Sequence, residues 1–300
     1  MAKQKIVPHL WFDKEAKEAA TFYTTLFADS KVKNVSTITD TPSGDCDIVT
    51  FQLAGLDFMA ISAGPYFKLN PSISFFVVFD NEAEIEAVWN KLIDGGKALM
   101  PYATYPWAEK YGWLQDKYGL SWQLSYAPLD SPRRTRGKQK ITPLLMFTRG
   151  VAGKAKEAID DYTSLFPNSE TEMVVPYESG EGDQVGFLKH ARFALSGCHF
   201  MAMDSSGPHE FNFNEALSLI VNCDTQEEID HYWSKLSAVP AAEQCGWLKD
   251  KYGISWQIVP TAMAQMMEHG SKEQIARVTQ AFLKMKKFDI ATLEHAYEGK

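Results

Sequence analysis

The chain is short of the residues that usually announce a cofactor, a staple or a charged partner. It has four cysteines (Cys46, Cys198, Cys223, Cys245), too few and too irregularly spaced for a disulfide frame or a zinc site. They read as reduced thiols, and a cytoplasmic location is expected, since Met1–Lys5 lacks the apolar core of a signal peptide. No apolar run approaches the roughly 18 residues that a membrane-spanning helix needs, so no membrane partner is expected. Basic residues are in deficit, with 30 Lys and Arg against 38 Asp and Glu and a net charge of −8. Such a surface repels a phosphate backbone and excludes general nucleic-acid binding. A phosphate-binding glycine loop, a G-x-S-x-G elbow and an informative Cys–His spacing are all missing. What remains is ample apolar material, 45% of residues, enough to build sizeable cores.

What the sequence does have is an internal repeat. Residues 111–124, YGWLQDKYGLSWQL, match residues 245–258, CGWLKDKYGISWQI, at ten of fourteen positions. Upstream the matches keep their order. Ala16-Lys17-Glu18-Ala19 answers Ala155-Lys156-Glu157-Ala158, and Phe58-Met59-Ala60 answers Phe200-Met201-Ala202. The offset grows to 144 at Trp89 and Trp233, then drops to 134, so ten residues are missing between Leu236 and Gly246. A first domain over 1–130, a basic linker over 131–140, a second domain over 141–260 and a tail over 261–300 follow. The two domains are expected to pack on one another through a broad apolar interface. The linker's basic residues sit at the domain seam without interleaved aromatics, and read as solvated.

Each domain reads as strand–helix–three strands, twice over. Residues 6–12, IVPHLWF, alternate as a strand does. Ala16, Ala19, Ala20 and Tyr23 then fall on one helical face, with Asp13 placed as the cap. Ile73–Phe79 is an apolar strand, followed by the capping box Asn81-x-x-Glu84 and a helix presenting Ile85, Val88, Trp89 and Leu92. Asp116–Gly119 reads as a hairpin turn. The deletion removes the counterpart of the segment around Lys97–Trp107, so, on the fold that the resemblance below implies, the second domain should have the shallower cavity. Three tail helices are expected near 261–269, 272–286 and 290–297. Their methionines and phenylalanines read as packing residues. The tail and the outer domain surfaces are the candidate contacts of a homodimer.

These tandem units resemble the vicinal oxygen chelate superfamily, which includes glyoxalase and extradiol dioxygenases. Pro8–Asp13, Phe22–Phe27, Gly112–Asp116 and Tyr118–Gln123, with Tyr162–Ser169 and Cys245–Gly253 in the second half, carry a closer resemblance. It is to the PhnB-like proteins, often labelled 3-demethylubiquinone-9 3-methyltransferase-like. The resemblance implies an α+β fold, in which paired βαβββ modules curl a sheet around a cavity with helices outside, plus here the C-terminal helical tail. Three functions follow as expectations: metal-free binding of a small organic ligand, a glyoxalase- or dioxygenase-like enzyme, or a methyltransferase. Against the last, no glycine-rich turn follows a first parallel strand, and Gly95-Gly96 reads as a helix C-cap instead.

Metal-dependent members of the superfamily hold a divalent ion with His and Glu. Carried over by position, the four sites here are His9, Met59 or Ala60, Ser74 and Gln123. The second set is Leu144, Met201 or Ala202, Ser218 and Gln257. One imidazole among hydroxyls, amides and apolar groups does not make a metal site, so neither metal nor another cofactor is expected. The expected ligand site is therefore a first-domain cavity lined by His9, Trp11, Met59, Ser74, Trp107 and Gln123. His9 is its candidate acid–base group. The two glutamines can orient a ligand but cannot act as bases.

Overall fold

The computed structural model describes residues 4–127 and 139–300, so most of the expected linker lies outside the described residues. Four modules build the molecule. The first is β1 (Ile6–Phe12), α1 (Ala16–Thr24), β2 (Lys31–Thr41), β3 (Gly44–Leu53) and β4 (Leu56–Ser62). The second is β5 (Ile73–Phe79), α2 (Glu82–Ile93), β6 (Lys97–Tyr105), β7 (Ala108–Gln115) and β8 (Ser121–Tyr126). The third is β9 (Ile141–Thr148), α3 (Ala155–Leu165), β10 (Glu170–Pro176), β11 (Leu188–Leu195) and β12 (Cys198–Ser205). The fourth is one strand short, with β13 (Leu217–Cys223), α4 (Gln226–Leu236), β14 (Trp247–Lys249) and β15 (Ser255–Pro260). Three helices follow: α5 (Thr261–His269), α6 (Lys272–Phe282) and α7 (Ile290–Glu298). This is the α+β tandem of βαβββ modules that the repeat implies.

The modules combine across the two halves of the chain. One sheet runs β14-β15-β13-β1-β4-β3-β2, joining the first module to the fourth. The other runs β10-β11-β12-β9-β5-β8-β7-β6, joining the third to the second. The joints are antiparallel, β1 on β13 with His9 opposite Ser218, and β5 on β9 with Ser74 opposite Leu144. Each leading strand would otherwise expose a row of unpaired backbone groups, and the joint removes that edge. One apolar core, from Ile6 and Tyr23 to Trp122, Phe193 and Trp256, runs through both halves.

Local chemistry explains the elements. In α1 the small residues Ala16, Ala19 and Ala20 are fully buried and let the helix lie close on β3. Its cap is not the expected Asp13. Ser62 Oγ on β4 accepts from Ala16 N at 3.1 Å, and in the third module Asp204 accepts from Ala155 N at 3.1 Å. The cap comes from a neighbouring strand, which local sequence does not reveal. Asn81 and Thr225 cap α2 and α4 as their patterns imply, and Ser271 with Gln274 forms a full capping box on α6.

The most repetitive segment is a turn locked by one carboxylate. Asp116 Oδ1 accepts from Tyr118 N and Leu120 N at 2.9 and 3.1 Å. Its Oδ2 accepts from Tyr23 Oη and Trp122 Nε1 at 2.8 and 2.9 Å. Asp250 repeats the four bonds with Tyr252 N, Ile254 N, Tyr162 Oη and Trp256 Nε1. Gly119 and Gly253 take the left-handed conformation these turns require, at φ +85 and +88.

Candidate functional site

Alternation along the strands sends His9, Trp11, Met59, Ser218, Ser255, Gln257 and Trp247 to one face of the first sheet, opposite the α1 and α4 side. Ser74, Ser121, Gln123, Tyr111, Trp113, Leu144 and Met201 occupy the matching face of the second. The six expected ligand residues are thus divided. His9, Trp11 and Met59 stand together, while Ser74 and Gln123 belong to the other sheet. Trp107 sits in the β6–β7 turn, 53% exposed and stacked on Tyr105 at 5.0 Å. The expected single grouping is corrected because β1 pairs with β13 of the second half and not with β5. Ser218 and Gln257, read from sequence only as second-domain counterparts, are His9's actual neighbours. Ser255 and Trp247 were missed as site residues, although the repeat marks them as partners of Ser121 and Trp113.

The two faces carry similar residues in opposite states of satisfaction. On the second sheet Tyr111 Oη donates to Gln123 Oε1 at 2.8 Å, and Gln123 Nε2 donates to Ser74 Oγ at 2.9 Å. Trp113 Nε1 donates to Ser121 Oγ at 2.8 Å. Leu144, Met146 and Met201 fill the rest of that face with Phe76 and Met203. On the first sheet Gln257 Nε2 donates to Ser218 Oγ at 2.9 Å, but Cys245 stands where Tyr111 does. The Gln257 carbonyl therefore has no hydrogen-bond donor among the described residues. Trp247 turns its ring edge to His9 (centroids 5.4 Å, planes at 86°) and to Trp11 (6.1 Å). Ser255 Oγ, in a residue 1% exposed, is left with no partner. A buried hydroxyl without a partner costs free energy unless something else meets it.

His9 is 3% exposed, and burial holds its imidazole well below the ordinary value of 6.5, at about 3. The ring is neutral at physiological pH. Ser218 Oγ lies 3.4 Å from Nδ1 and already accepts from Gln257. Its hydroxyl can still donate to Nδ1 or accept a second proton from it, so either neutral tautomer satisfies this contact. Trp11 Nε1 donates to Gly64 O at 2.8 Å, which leaves its ring as an apolar wall beside Phe67 (5.1 Å).

Neither face fits a metal. The donor set is His9, Met59, Ser218 and Gln257 on one and Leu144, Met201, Ser74 and Gln123 on the other. Among the described residues no group of three or more His, Cys, Asp or Glu is placed to hold an ion. Nor does the Gly95-Gly96 pair form a phosphate- or nucleoside-cradling turn. A Cβ at Gly96 would stand 2.4 Å from Gln115 O, so that glycine lets β7 approach the end of α2 and cradles nothing. Among the described residues no helix is long and apolar enough to cross a membrane.

Paired βαβββ modules, each curling part of a sheet with its helix outside, give the chain the fold of the vicinal oxygen chelate class. It belongs to the 3-demethylubiquinone-9 3-methyltransferase (PhnB-like) family, whose sequence pattern matches residues 4–125 and again 139–259. The chain is 40% identical to the PhnB protein from Bacillus cereus, over 41% of this chain and all of that one, with a TM-score of 0.39. It is 34% identical to a protein from Staphylococcus aureus, over 42% of this chain and 98% of that one (TM-score 0.18). Glyoxalase I from Zea mays shares the fold at 11% identity, over 88% of this chain and 96% of that one (TM-score 0.55). No curated protein matches the chain.

Proposed function

We propose that the protein binds a small, uncharged, planar organic molecule on the His9 face of the first sheet, without a metal. The observation that carries this reading is the unpaired Ser255 hydroxyl, buried beside Ser218 and Gln257 on the face that also holds His9. The matching face of the second sheet closes its own hydrogen bonds and leaves nothing for a ligand to do. Trp11 and Trp247 supply flat apolar walls, and the hydroxyl, the amide carbonyl and the imidazole supply the few polar groups that orient a ligand. Among the described residues no Lys or Arg side chain shares the hydrogen-bond network of His9, which favours a neutral ligand over a carboxylate or phosphate. An imidazole with a pKa of about 3 accepts a proton too weakly for general-base work at neutral pH, so binding is favoured over catalysis.

Titration calorimetry with neutral hydroxylated and carbonyl-bearing aromatics, beginning with phenol, tests the reading alongside elemental analysis. Each hydrogen bond is worth on the order of 1 kcal/mol, so His9→Ala should weaken binding roughly fivefold. Ser255→Ala should weaken it in the same direction. Unchanged affinity in both variants, or full occupancy by zinc, nickel, manganese or iron, overturns it.

A further inference from the structure

The tail has no equivalent in the first half, and its position relates to the missing strand. In the second module β6 covers β7, pairing Met100 with Trp113 and Ala103 with Tyr111. The fourth module has only the turn at Pro240–Ala242 and the three-residue β14 there. The chain between α6 and α7 takes up the exposed backbone. Cys245 N donates to Met285 O at 2.8 Å, Gly246 N to Lys286 O at 2.7 Å, and Gln244 Nε2 to Leu283 O at 2.9 Å. Phe288 packs so tightly on Gly246 that a Cβ there would lie 2.5 Å from its ring. Gln226 of α4 ties the same segment, donating to Phe288 O and accepting from Ile290 N.

The tail also reaches the opposite edge of that sheet. One apolar cluster joins Met266, Val278, Phe282, Phe288 and Leu293 to Ile38 of β2, with Ile48 of β3 and Val259 of β15 packed against it. Ile38 and Ile48 share the strand face of Met59, and Val259 shares that of Gln257. β2 and β14 are the two edges of the sheet, and His9 lies on a strand between them. The cluster therefore spans the face that carries His9.

We infer that residues 261–300 form the cover of the His9 site, standing in for the deleted strand and bridging both edges of the sheet, so that the tail controls which molecules reach His9. This rests on the ligand reading above for its purpose, but its geometry is tested without any ligand. Diethyl pyrocarbonate acylates neutral imidazole, and the His9 ring is neutral, so the change in its labelling rate between the full-length wild type and the variants, read by peptide mass spectrometry, reports access. Exposed His231 on α4 is the internal control. His9 should label far more slowly than His231. Phe282→Ala weakens the cluster, and Gln226→Ala cuts two tethers without touching the sheet's inner face. Each should speed His9 labelling roughly tenfold and speed hydrogen exchange at the Cys245 and Gly246 amides, with His231 unchanged. Faster exchange with His9 still protected overturns the inference. So does unchanged exchange in both variants, or wild-type His9 labelling as fast as His231. A protein that binds no aromatic but shows the accelerated labelling would refute the ligand reading and keep the cover.

Discussion

His9 and Ser255 are the residues at which burial and hydrogen bonding work against each other. Because the folded His9 has a pKa of about 3 and the unfolded imidazole its ordinary 6.5, the unfolded state takes up the proton first as pH falls. Its contribution to stability is full above pH 6.5 and is lost as pH drops toward 3. The slope approaches about 1.4 kcal/mol per pH unit for one proton. Urea unfolding between pH 7 and 4 should therefore show a shallower decline in His9→Gln than in the wild type. His190, held at about 4 chiefly by burial, contributes in the same sense to both proteins. Equal slopes would mean that His9 is not buried neutral. Ser255 makes the complementary test, since removing an unpaired buried hydroxyl should be neutral or stabilising by up to about 1 kcal/mol. Ser121→Ala removes an acceptor that Trp113 uses and should destabilise by about that amount or more. Melting temperatures of the two variants should move apart, and a Ser255→Ala loss matching that of Ser121→Ala would show the hydroxyl to be satisfied.

Among the elements, the two carboxylate-locked turns join helix, turn and strand in each half. Asp116 accepts from α1, from β8 and from two backbone amides, so it ties the first module to the second. Burial pushes its pKa up to about 6 against the pull of those four donors, and burial raises that of Asp250 as well. Asparagine keeps the shape but offers one fewer acceptor oxygen, leaving buried donors without a partner. Asp116→Asn and Asp250→Asn should each cost roughly 2–4 kcal/mol in chemical denaturation, more than a surface substitution does. A loss below about 0.5 kcal/mol in either would remove the turn from the structural frame. The caps teach a different lesson. Asn81, Thr225 and Ser271 sit next in sequence to what they cap and are legible, whereas Ser62 reaches α1 from another strand and is not.

At the scale of the molecule, the joints β1–β13 and β5–β9 make each half depend on the other. Neither sheet is complete within one half, and a single apolar core crosses between them. Expressed separately, residues 1–138 and 139–300 should not give stable monomers, because each would expose two unpaired leading strands. Mixed, they should return a one-to-one complex on size-exclusion chromatography. Two well-folded halves that ignore each other would contradict the cross-paired sheets. The cross-pairing also moves the consequence of the ten-residue deletion. The shortened module shares a sheet with His9, so the missing strand thins the His9 site rather than a remote second cavity, and there the tail lies.

The sequence by itself determined the four modules, the deletion, most caps, the hairpin turns and the three tail helices. Those follow from periodicity, local capping chemistry and self-similarity within a few tens of residues. It also determined that the inner positions hold too few metal donors, since that depends on residue type and not on partner. Only the tertiary structure decided which modules share a sheet. Four similar modules offer four similar leading strands, and nothing within β1 itself singles out β13. Strand pairing is backbone hydrogen bonding between distant segments, and no local pattern names the partner. That choice set Ser218, Gln257 and Ser255 beside His9, sent Ser74 and Gln123 to the other sheet, and left the Ser255 hydroxyl of the His9 face unanswered.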